Sequence, residues 1–147
     1  MNREEFTKGI TQILKLVRTE YGLTQDEMAV IIGISKKSLV ESEKGRRELG
    51  WTESVALANI FSDSSVLQSN FGGDINDTIT AIAFDNVDVS YPKTMGGKIW
   101  WKVVKEDRGY KIQQNIVSNH YRLLDENNRR LYFSFHLKEV EEYLNNI

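Results

Sequence analysis

The chain has no cysteine, one proline and two histidines in 147 residues. No apolar run approaches the ~18 to 20 residues that a membrane-spanning helix needs. Without cysteine there is no disulfide framework, no thiolate zinc site and no cysteine nucleophile. Net charge is also small, at -2, with 40% apolar and 27% charged residues. That balance excludes a collagen-like chain and a strongly charged disordered one. The N-terminal stretch MNREEFTKGI is charged and lacks the apolar core of a secretory signal. A cytoplasmic protein with no membrane partner is expected.

What is present is unevenly distributed. Lys36 to Arg47 holds five basic residues (Lys36, Lys37, Lys44, Arg46, Arg47) against Glu41 and Glu43. Lys93 to Arg122 holds seven (Lys93, Lys98, Lys102, Lys105, Arg108, Lys111, Arg122) against Glu106 and Asp107. Acidic residues collect at Asp74, Asp77, Asp85 and Asp88, and again at Glu139, Glu141 and Glu142. Cations gathered on one face attract phosphate even in a near-neutral protein, because screening acts over a Debye length of ~8 Å.

Hydrophobic periodicity divides the chain into an α+β arrangement. Phe6, Ile10, Ile13, Leu14 and Val17 recur at helical steps, predicting a helix over about Arg3 to Glu20 that ends at Tyr21-Gly22. Thr24 with Glu27 forms a capping-box pattern before Met28, Ala29, Ile31 and Ile32, and Gly33 stops that helix. Ser35 is read as the cap of a third helix ending near Gly45, and Thr52 as the cap of a fourth carrying Val55, Leu57, Ala58, Ile60 and Phe61. A short fifth helix follows Ser64-Ser65. Residues 1–73 are thus expected to form a five-helix bundle. Residues 74–97 read as a linker with room for a short helix at Ile75, Ile79 and Ile82. Beyond it, KIWWKVVKE, GYKIQQNIV, HYRLLDE and RRLYFSF read as about four strands, with a two-residue hairpin turn at Asn127-Asn128. Leu137, Val140 and Leu144 mark a terminal amphipathic helix. Residues 98–147 are therefore expected to be a small antiparallel sheet covered on one face by that helix.

The sharpest pattern is LTQDEMAVIIGISKKSLVESEKGRR, residues 23–47. Two short helices meet at a three-residue turn. Small Ala29 allows a close crossing, Gly33 turns the chain, and Ile34 and Leu39 fill the angle between the helices. The remaining face of the second helix, Lys36, Lys37, Val40, Glu41 and Lys44, is polar or basic at nearly every position. Such a face suits a wide, negatively charged groove better than a protein core.

Residues 10–71 resemble the helix-turn-helix domain of the lambda repressor–Cro (XRE) family. The resemblance rests on the TQxxxA, G-I-S, SxxxL and E-K-G-R-R elements, on Trp51 and on Leu57-Ala58-Asn59-Ile60-Phe61. It implies a lambda-repressor-like bundle whose third helix enters the major groove of double-stranded DNA. On this resemblance Lys36, Lys37, Ser38 and Glu41 occupy base-reading positions. Gln25, Ser35, Lys44, Arg46 and Arg47 occupy phosphate-contacting ones, and Arg18 and Glu43 match an ion pair tying the first helix to the third. Four positions depart from the pattern. Ser42 stands where a large apolar residue anchors the third helix, which is expected to loosen its packing. Glu53 and Ser54 replace neutral or apolar residues, and Leu49 replaces a frequent proline. The implied function is a sequence-specific transcriptional regulator acting as a homodimer. Its dimer contact would come from the fifth helix or from the C-terminal half.

Two other classes remain open from the residues. One is a protein-partner module, an antitoxin or adaptor, with the helix-turn-helix as scaffold. The other is single-stranded nucleic-acid binding by the C-terminal sheet, where Trp100, Trp101, Tyr110, Tyr121, Tyr132, Phe133 and Phe135 alternate with Lys98, Lys102, Lys105 and Lys111. An enzyme is not expected. His120 and His136 lack a paired ligand spacing, Gly96-Gly97-Lys98 lacks the phosphate-loop spacing, and neither a cofactor nor a metal site is indicated.

Overall fold

The computed structural model describes residues 1–87 and 100–147. The chain divides into two compact units, Met1–Ser90 and Tyr91–Ile147. Lys93, Lys98, Asp88 and the Gly96-Gly97-Lys98 turn lie outside the described residues.

In the first unit α1 spans Arg3–Glu20, as the apolar stripe predicts, and buries Phe6, Ile10, Ile13, Leu14 and Val17. Helices α2 (Gln25–Ile32), α3 (Lys36–Glu43), α4 (Trp51–Ile60), α5 (Ser65–Phe71) and α6 (Ile75–Ala83) follow. The Thr24–Glu27 capping box is formed in full, and Ser35 and Ser64 cap α3 and α5 through their side chains. The cap of α4 differs from expectation. Helix α4 begins at Trp51, its N-cap is Gly50, and no side chain caps it. Thr52 is already inside the first turn, so it cannot occupy the half-extended cap position.

The bundle also has one helix more than the sequence reading counted. Ile75 and Ile82 of α6 are buried in the same core as α1 to α5, and α6 packs against α4 and α5. The isoleucine spacing signalled a helix; that it docks is a tertiary fact. Phe6 lies at the centre of an aromatic cluster, 5.6 Å from the Trp51 ring and 5.3 Å from that of Phe71. Aromatic pairs at such distances add to the stabilisation from burial alone.

The second unit is a four-stranded antiparallel sheet in the order β1-β2-β3-β4, followed by a helix. Its strands are β1 (Trp101–Asp107), β2 (Tyr110–Asn115), β3 (Tyr121–Leu124) and β4 (Arg130–Ser134), with α7 over Leu137–Asn145. Ile112, Leu123 and Tyr132 are cross-strand partners, and with Val140 and Leu144 of α7 they form the core. Tyr132 stacks on Tyr143 of α7 at 4.7 Å.

The hairpin chemistry differs from the sequence reading at two turns. Only Asn128 takes positive φ, at 60°. The Asp125 side chain accepts from the Asn127 and Arg129 N–H groups, making a longer turn with a register shift between Leu123 and Leu124. Both central residues of a two-residue type I′ turn need positive φ. That condition is met instead at Arg108 (51°) and Gly109 (85°), which join the Asp107–Tyr110 pair closing β1 and β2.

Candidate nucleic-acid interface

The α2–turn–α3 segment is built as its residues require. Gly33 closes α2 at φ 86°, and the N–H groups of Gly33 and Ile34 both donate to the Ala29 carbonyl. Leu39 is fully buried and Ala29 nearly so, while Ile34 packs partly buried against the core. One side of α3 is thereby fixed and the other is left outward. Lys36, Lys37, Lys44 and Arg46 are exposed, and Ser38, Val40 and Glu41 are half-buried.

Behind that face lies a hydrogen-bonded hub. The Arg18 Nε donates to Glu43 at 2.5 Å and its Nη2 at 3.3 Å, while Nη1 donates to the Leu23 carbonyl. Gln25 donates a third hydrogen bond to the Glu43 carboxylate at 2.8 Å. The Glu43 side chain is 5% exposed and that of Arg18 14%. The expected ion pair between α1 and α3 is therefore present and largely buried. Burial by itself would raise the Glu43 pKa; the hydrogen bonds from Arg18 and Gln25, with the positive charges of Arg18 and Lys15, outweigh it and hold the carboxyl below the usual range. Gln25 is oriented by this bond and keeps one amide N–H for another acceptor.

Two of the departures noted in the sequence, Ser42 and Glu53, are linked through one side chain. Arg47 donates to both carboxylate oxygens of Glu53, at 3.0 and 2.7 Å, and to the Ser42 hydroxyl at 3.2 Å. Ser42 is 1% exposed and its hydroxyl accepts from the guanidinium; with Thr11, Gln12 and Arg47 it lines a cavity of about 290 Å³. Pairing with Glu53, set against partial desolvation, pushes the Arg47 pKa up. Leu49 is buried, and its N–H donates to the Thr11 hydroxyl, so the loop after α3 is fastened to α1. Sequence reading missed the Arg47–Glu53 pair because the partners lie on different elements, with no helical spacing to relate them.

The cations of the outward face are not equivalent. Lys36 bridges to Asp26 at 3.1 Å with both groups well exposed, a contact worth little in water. Arg46 lies 3.8 Å from Glu41. Lys37 and Lys44 have no ion-pair partner among the described residues. Ser35 accepts from the Ser38 N–H and its hydroxyl also meets that of Ser38, so both serines are engaged in the cap. Among the described residues no group of three or more acidic or histidine side chains is placed to hold a metal, and no helix is long and apolar enough to cross a membrane.

Comparison with protein-family models, with curated proteins and with solved structures finds no match in any of the three.

Proposed function

We propose that the chain is a sequence-specific double-stranded DNA-binding regulator of the lambda repressor–Cro type, with α3 as the helix that enters the major groove. The observation that carries this reading is the outward face of α3, where Lys36, Lys37 and Lys44 stand exposed on a helix anchored from behind by Arg18, Glu43 and Gln25. A rigid helix about 10 to 12 Å across fits a groove about 12 Å wide. Lys36 and Lys37 donate to guanine edges, and Glu41 accepts from a cytosine amine. Ser38 is a shorter-reaching fourth base-reading position, Ser35 and the free amide N–H of Gln25 meet the DNA backbone, and Lys44 with Arg46 supplies further phosphate contacts. Arg47, held by Glu53, shapes the loop that carries them.

A single head of this size reads only ~4 to 5 base pairs, so selectivity calls for two copies on a palindromic site one helical turn apart. The reading includes a homodimer for that reason. Selection from random duplex DNA tests it directly, and a palindromic consensus is the expected product. Lys37→Ala should relax one position of that consensus, with discrimination there falling by ~1 to 3 kcal/mol. Arg46→Ala should weaken specific and random duplex alike and reduce the salt slope by ~0.9. Equal losses on both duplexes from both changes, or no enriched sequence at all, would overturn the assignment.

A further inference from the structure

The face of the sheet turned away from α7 has no assigned role, and its composition is unusual. Antiparallel register puts Val103, Gln113, Arg122 and Phe133 in one row across the four strands. Alternation adds Trp101, His120 and Phe135 on the same face. The Arg122 guanidinium lies 3.7 Å from the centre of the Trp101 ring, His120 meets that ring edge-on at 5.0 Å, and Arg130 sits 5.4 Å over Phe133. Phe133 and Phe135 are 63% and 68% exposed. With His120 they border a shallow hollow of about 500 Å³.

We infer that this face binds single-stranded nucleic acid, its bases stacking on Phe133 and Phe135 and its phosphates meeting Arg122 and Arg130. Charge decides the occupant. Neither guanidinium has a carboxylate partner among the described residues, and there Arg122 donates one side-chain hydrogen bond, from Nε to Gln113. Each keeps most of its five donors for an incoming acceptor. A second copy docked face to face about a two-fold axis would bring these cations toward their own images, which repel. An anion removes that conflict, and an anion with flat apolar rings also covers the phenylalanines.

Duplex is the wrong shape, since four strands span roughly 14 Å and the major groove admits a helix or a two-stranded ribbon. The side-chain oxygens of Gln113 and Asn115 already accept hydrogen bonds, from Arg122 and from the Val117 and Ser118 N–H groups. An amide oxygen has two lone pairs, so Gln113 keeps one acceptor site and both side chains keep N–H donors; the face recognises bases and phosphates, the chemistry common to either sugar.

The experiment is fluorescence anisotropy of a labelled oligodeoxythymidine of about twelve nucleotides, titrated with the full chain at low salt. Saturable binding is expected, weakened about tenfold by Phe133→Ala and by Phe135→Ala, the low end of what stacking one base on one ring contributes. Both side chains are largely solvent-exposed, so neither change should disturb folding. Arg130→Gln should lower the salt slope by ~0.7, the loss of one single-strand phosphate contact. No saturable binding, or binding indifferent to both phenylalanine changes, would overturn the inference. So would capture of a poly-glutamate peptide in preference to the oligonucleotide, which would reassign the face to an acidic protein. Duplex binding is read separately through Lys37→Ala, so this inference and the major-groove reading can fail independently.

Discussion

Ser54 sits in α4 fully buried, and its hydroxyl has no hydrogen-bond partner among the described residues. A buried hydroxyl left unpaired costs on the order of 1 to 3 kcal/mol in desolvation. Ser54→Ala removes that cost together with only one small polar atom, and urea unfolding should show a variant more stable by about 1 kcal/mol. Glu43 presents the opposite case, a buried carboxylate with three side-chain hydrogen bonds from two donors. Arg18→Met would leave that charge buried with Gln25 alone and should cost about 3 kcal/mol. Because the folded Glu43 pKa lies below its ordinary value of 4.5, its stabilising contribution is complete above that value. It is lost as the pH falls through the lower folded pKa. Stability measured from about pH 6 down to about pH 3 should therefore decline less in Glu43→Gln than in the parent chain. The Arg18–Glu43 partnership was legible in the sequence only through the resemblance. The Arg47–Glu53–Ser42 contact was not legible at all, since nothing local relates positions 42, 47 and 53.

Among the elements, those with strong local signals matched their expected bounds most closely. Helix α1 follows from one apolar stripe, and the start of α2 from a capping box that the sequence spells out as Thr24 and Glu27. Helix α4 shows where such signals mislead, because Thr52 has a good capping side chain while Gly50 already occupies the cap. The turn between α2 and α3 depends on Gly33, whose φ is 86° and around which an added Cβ would meet nothing within 4 Å. The penalty for a side chain there is purely conformational, so Gly33→Ala should destabilise by about 1 to 2 kcal/mol. Gly33→Asn should lose less, because asparagine tolerates the left-handed region. Calorimetric melting of the two variants checks the order.

For the whole molecule, the two units differ sharply in what they bury. Among the described residues, sixteen buried ones form the core of the first and four that of the second. Domains below about 60 residues are marginal even with a full core. Urea should therefore unfold the sheet unit at a lower concentration than the helical one, giving two transitions. A single coincident transition by fluorescence and circular dichroism would count against independent units. Charge also differs by unit. Residues 1–87 hold nine Lys and Arg against thirteen Asp and Glu, so any attraction to a phosphate backbone must come from the local face of α3 and not from the unit's net field. Random duplex should consequently be a poor ligand. The sequence showed the charge runs, but which cations stand clear and which are neutralised across the fold emerged only from the packing.

Each unit also contains its own dye. The Arg3 guanidinium lies 4.6 Å over Trp51 in the first, and Arg122 lies over Trp101 in the second. Denaturation separates each indole from its cation and alters its light emission. Replacing Trp51 with phenylalanine would silence the helical signal and leave the sheet's emission to be followed without any attached label.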